Sequence, residues 1–117
     1  MKPSIMEPIL AVRFYRSRTG REPVRDWLRA MSLEDRKIIG TDIKSVQYGW
    51  PLGMPLVRKM DVALWEVRSN IPSRTVRILF TVVDAAMILL HGFDKASNKT
   101  PKTELTTALS RLKELQT

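Results

Sequence analysis

The chain contains no cysteine and a single histidine among its 117 residues. Without thiols there is neither a disulfide framework nor thiolate chemistry, and zinc sites of the cysteine-rich structural kind are excluded. Acidic residues are scarce as well, since twelve Asp and Glu stand against twenty Lys and Arg, for a formal net charge of +8. In so small a body that excess makes a field that attracts polyanions, and nucleic acid or a ribosome is the first partner to consider; the plainer reading is a charge that keeps the protein soluble. No apolar run approaches the roughly 20 residues that span a bilayer. The opening Met1-Lys2-Pro3-Ser4-Ile5-Met6-Glu7-Pro8 lacks a signal-peptide core of about 7–15 apolar residues, so a cytoplasmic protein without a membrane partner is expected. No repeat or low-complexity tract is present. With 44% hydrophobic residues, the length suits one domain over 1–117 and not two.

What is there centres on three extended runs, Val62–Arg68, Thr75–Val83 and Met87–Phe93. Each is short, rich in β-branched and aromatic residues, and bounded by turn formers, which predicts consecutive antiparallel strands. Pro72 cannot extend a ladder, and Asp84-Ala85-Ala86 is short enough for a tight hairpin. Glu66 and Arg68 share one face of the first run by the period of two, and Arg77 lies inside the apolar second run, where it requires a carboxylate or an anion. A loop centred between Ile71 and Pro72 sets Glu66 directly opposite Arg77 and leaves Arg68 at the strand end.

The flanks complete an α+β pattern. Ile9–Arg16 follows Pro8 and reads as a first strand of the same sheet. Pro23 fits the first turn of a helix carrying Val24, Trp27, Leu28 and Met31 at helical spacing. Ser32 with Asp35 caps a second helix with the stripe Ile39, Ile43 and Val46, which stops at Gly49-Trp50-Pro51. The two helices form a hairpin packed on one face of the sheet. Gly49 to Met60, with Pro51, Gly53 and Pro55, is expected to be irregular and to end in the cations Arg58 and Lys59. Thr100-Pro101 reads as the cap and first residue of a last helix with Leu105, Ala108, Leu109, Leu112 and Leu115 on one face. The expected order is strand, helix, helix, three strands, helix, in a small antiparallel sheet. Trp27, Trp50 and Trp65 are expected to be packing residues.

The series Leu64-Trp65-Glu66-Val67-Arg68, Arg77-Ile78-Leu79-Phe80, Leu89-Leu90-His91-Gly92-Phe93-Asp94-Lys95 and Lys99-Thr100-Pro101, followed by an amphipathic helix, resembles the HigB-like, phage-derived branch of the RelE/ParE toxin superfamily over nearly the whole chain. The resemblance implies a RelE-like fold and the toxin of a type II toxin–antitoxin system. Its activity would be ribosome-dependent cleavage of mRNA by an endoribonuclease that uses no metal and no other cofactor. It also implies a cognate helix-turn-helix antitoxin, joined to the toxin in a hetero-oligomer.

Such a reaction uses the RNA 2′-hydroxyl as nucleophile, and the protein must stabilise the charged transition state and move protons. By resemblance Arg68 matches the strand-end arginine of the superfamily, and its planar fork of donors suits two phosphate oxygens. Lys95 lies near the position of a further catalytic cation, and Arg58 and Lys59 stand where basic residues precede the strand pair. With no Tyr after Tyr48, His91 takes the place of a proton-transfer residue, although a histidine in an apolar strand is more often a hydrogen-bonded packing group. Lys99 and Arg77 join the candidate RNA-binding set, with Arg77 the structural partner of Glu66. Two other readings stay open, a ParE-like inhibitor of DNA gyrase and a non-catalytic RNA-binding phage regulatory protein.

Overall fold

The computed structural model describes residues 7–116, so the reading of the opening six residues lies outside the described residues. The elements follow in the order β1 (Ala11–Phe14), α1 (Pro23–Arg29), α2 (Leu33–Gly49), β2 (Val57–Asp61), β3 (Leu64–Ile71), β4 (Arg74–Val83), β5 (Ala86–Asp94) and α3 (Lys102–Leu115). Pro23 occupies the start of α1, where its fixed φ costs nothing and its missing N–H is no loss. The Ser32 hydroxyl accepts the Asp35 amide at 3.1 Å and starts α2. That helix ends where the Trp50 amide closes on the Val46 carbonyl, just before Pro51.

The five strands form one sheet in the order β1-β5-β4-β3-β2. The fold is α+β, with β2 through β5 a meander of antiparallel neighbours. Three details depart from the sequence expectation. The end of the Gly49–Met60 connector is strand β2, paired through Arg58↔Glu66 and Lys59↔Trp65. β1 lies parallel to β5 (Ala11↔Ala86 to Phe14↔Leu89), because the whole αα hairpin intervenes before the chain returns to the sheet. The β3–β4 hairpin closes on Pro72-Ser73, and its register sets Arg68 opposite Arg77 and Glu66 opposite Leu79. That is a two-residue slip from the expected pairing, so every side chain keeps its face. The β4–β5 turn is the expected tight one, with Asp84 and Ala85 both at positive φ.

Each face of the sheet buries a core. Val24, Ile39, Ile43 and Val46 from α1 and α2 pack against Val67, Ile78, Phe80 and Leu89. Ala108 and Leu112 from α3 pack against Leu64, Leu79, Leu90 and Phe93 on the other side. The tryptophans do pack: Trp50 meets Trp65 edge-on at 5.0 Å and Phe80 at 5.8 Å, while Trp27 lies against the first core. Among the described residues no helix is long and apolar enough to cross a membrane.

Candidate functional site

Strand alternation decides which cations meet. Arg58, opposite Glu66, shares the α3 face of the sheet with Glu66, Arg68 and Arg77. Lys59, opposite Trp65, is on the other face, with Nζ 5.9 Å from the Trp65 ring centroid. The adjacent pair Arg58-Lys59 is therefore split across the sheet, and the structure does not bring Lys59 to the other candidates.

Beneath the cationic group lies a buried network. Arg77 is 1% exposed and Glu66 4%, with Arg77 Nε 3.4 Å from Glu66 Oε1. Arg77 Nη1 donates to the Thr100 hydroxyl at 3.0 Å and Nη2 to the Asn98 carbonyl at 3.2 Å, while the Thr100 hydroxyl donates to Glu66 Oε2. A guanidinium can lie in an interior when a carboxylate and oriented acceptors compensate its lost hydration, as here. Thr100 thus spends its hydroxyl on the ion pair and not on α3, whose N-cap position is Pro101 with no side-chain cap. Arg77 is consequently out of reach of a large ligand, and its contribution is to pin residues 98 to 100 over the sheet.

Arg68 and Lys95 flank this network, both half-exposed. The Lys95 amide donates to the Thr75 carbonyl at 2.8 Å, which extends the β5 ladder and fixes where the side chain departs. Partial desolvation, and then the nearby guanidinium groups of Arg68 and Arg77, hold its ammonium below the usual lysine value, with Glu66 pulling the other way. Two hollows open beside the pair. One of about 280 Å³ is lined by Ile38, Asp42, Pro55, Leu56, Arg68 and Asn70. The other, of about 360 Å³, is lined by Arg74, Thr75, Lys95, Ala96, Ser97 and Asn98. Lys99 is exposed in the same loop, its carbonyl held by the Ser97 hydroxyl.

His91 is elsewhere. Its Nε2 lies 2.7 Å from Glu104 Oε1 in the first turn of α3, and Arg111 Nη1 approaches its Nδ1 at 3.4 Å. The imidazole stacks on Phe93 at 5.7 Å and opens toward Trp27 and Pro23. Sequence reasoning missed Thr100, Asn98, Glu104 and Arg111 as partners. A buried arginine announces that acceptors exist, but nothing local says that they come from a loop more than twenty residues away.

The sheet, the helical hairpin on one face, the last helix on the other and the uncovered cationic strand ends define a small RelE-like α+β protein. The chain belongs to the family described as Phage derived protein Gp49-like (DUF891), a toxin-like family whose model matches residues 26–113, from within α1 almost to the end of α3. A comparison with curated proteins returned no match.

Proposed function

We propose that this protein is the toxin of a type II toxin–antitoxin pair, of the HigB-like branch, and that it cleaves mRNA on the ribosome through Arg68 and Lys95. The observation that carries this reading is the placement of these two cations over the buried Glu66–Thr100–Arg77 network. The network holds Thr100 against Glu66 and Arg77, and desolvation followed by the guanidinium groups of Arg68 and Arg77 leaves the Lys95 proton held less tightly than usual. Arg68 neutralises the phosphate oxygens as charge develops on them, a task that needs fixed donors in place before reaction. The 2′-oxygen bonds to phosphorus as the bond to the 5′-oxygen breaks; Lys95 donates its proton to that leaving oxygen, and the 2′-hydroxyl proton passes to solvent. A lowered pKa makes Lys95 the better acid. Arg58 and Lys99 contact backbone phosphates on either side, which gives affinity without sequence preference. Glu66 is buried and hydrogen-bonded, and His91 has no part in this step.

The helical hairpin supplies a second basic surface for a helix-turn-helix antitoxin. Arg29 is exposed there, and Arg25 is held by Glu22 at 3.0 Å. Docking at that surface restrains the toxin by keeping it off the ribosome while Arg68 and Lys95 stay uncovered. Induction in growing cells followed by primer extension on mRNA, with and without translation, tests the function: cuts that appear only in translated message support it. Arrest without cuts, accompanied by accumulation of cleaved DNA–gyrase complexes, would point to gyrase.

A further inference from the structure

β5 extends past the end of β1. The parallel pairing stops at Phe14↔Leu89 and the Tyr15 amide on the Leu89 carbonyl, so residues 90 to 94 have no strand on that side among the described residues. At this edge the six-membered ring of Trp27 reaches Gly92: a Cβ there would stand 2.4 Å from the indole Cζ3, so only glycine lets the ring approach the strand so closely. Pro23, Val24, Trp27, His91, Gly92 and Arg111 enclose a hollow of about 210 Å³. Its groups are an indole wall, an imidazole already backed by Phe93, an uncovered strand edge, and a guanidinium. Arg111 commits Nη1 to the Leu90 carbonyl at 2.7 Å, its Cζ stands 5.2 Å from the centroid of the Tyr15 ring, and no hydrogen bond among the described residues occupies Nε or Nη2.

We propose that this hollow binds one nucleotide, with the base against Trp27 and the free donors of Arg111 on the base edge or its phosphate. A flat aromatic wall takes any base by stacking, and a nearby arginine adds both hydrogen bonds and charge. The size admits a single bicyclic heteroaromatic ring and not an extended chain, and the net charge of +8 favours the anionic nucleotide over the neutral base. The site is separate from Arg68 and Lys95, and it is read by binding alone, so it stands or falls independently of the cleavage reaction.

The test is a titration of isotope-labelled full-length protein with adenosine 5′-monophosphate, with ribose 5-phosphate, and with a short single-stranded oligoadenylate, followed by NMR. The expected result is a saturable shift of the Trp27 indole N–H and the Gly92 amide with the mononucleotide, weakened about tenfold in Arg111→Gln and unchanged in Arg68→Ala. The same shifts with the oligonucleotide would identify an RNA base as the ligand, and their restriction to the mononucleotide would identify a free nucleotide. The shorter Arg111→Gln side chain gives up the bond to the Leu90 carbonyl as well, so the dispersion of the variant's spectrum is used to report that the fold is retained. Equal shifts with ribose 5-phosphate, shifts confined to Arg68 and Lys95, or no saturable response at Trp27 would each overturn the proposal.

Discussion

Arg77 and Glu66 form a buried ion pair across a diagonal of the sheet, although the β3–β4 register places Arg77 opposite Arg68. Diagonal neighbours on one face lie within reach of long side chains, and the pair leaves the arginine directly opposite Arg77 free to point out of the sheet. The relationship joins stability to function: the interior charge that Glu66 compensates is the one whose other donors hold Asn98 and Thr100.

Removing one partner should therefore cost far more than removing both. Glu66→Ala is expected to destabilise the fold by about 3–5 kcal/mol through an uncompensated guanidinium, while Glu66→Ala combined with Arg77→Met recovers most of that loss. Urea unfolding of the single and double variants measures it; equal losses in both would show that the pair's charge compensation is unimportant.

Thr100 is the joint between the ion pair and the loop that carries Lys95. Thr100→Val keeps the shape but strands both a buried donor and an acceptor, with an expected loss of about 1–3 kcal/mol, whereas Thr100→Ser keeps the hydroxyl and most of the stability. Thermal melts of the two variants compare them directly, and a Val variant as stable as Ser would remove the joint from the account.

Much of this architecture is legible in the sequence. Pro23, the Ser32 cap and the Gly49-Trp50-Pro51 stop act through local chemistry, and their helices stand where that chemistry puts them. The three apolar runs form strands, although the first begins at Leu64 and leaves Val62 exposed in the turn, and the α3 stripe buries Ala108 and Leu112 but leaves Leu109 and Leu115 exposed. β2 was hidden because Pro51, Gly53 and Pro55 precede it and its five residues include two cations and an aspartate, a composition suited to an edge strand. The hairpin slipped by two residues because Ile71 stays in the ladder and only Pro72-Ser73 turn. Parallel pairing of β1, the Glu104 partner of His91 and the Thr100 bridge are products of tertiary packing, with no local trace. Once β2 is recognised, the separation of Arg58 from Lys59 follows from the period of two.

The pH dependence of Lys95 has a definite sign. Its folded pKa lies below the ordinary 10.5, so folding is disfavoured while the ammonium is charged in both states, and stability rises with pH between the folded value and 10.5. Tyr15 acts oppositely, because burial and its 2.8 Å bond to Glu114 raise its pKa, and stability falls as pH rises through 10.0 toward the folded value. Lys95→Met should lose the rising component and keep the falling one. Chemical unfolding of wild type and variant across the alkaline range checks this, and identical profiles would contradict it.

Gly92 is sterically required. In Gly92→Ala the new methyl meets space filled by the Trp27 indole, and about 1–3 kcal/mol of overpacking is expected, accompanied by a changed Trp27 fluorescence. A variant with native stability and emission would show that the indole moves aside freely.

In the proposed reaction Arg68 stabilises the transition state of RNA cleavage. Its most direct measurement is the rate of message cleavage by purified Arg68→Ala protein in a translating ribosome extract, alongside urea unfolding of the same preparation. A loss of roughly 3 kcal/mol in transition-state stabilisation, about a hundredfold in rate, is expected, with unfolding close to wild type because the side chain is half-exposed. Cleavage at the wild-type rate by a folded Arg68→Ala protein would contradict it.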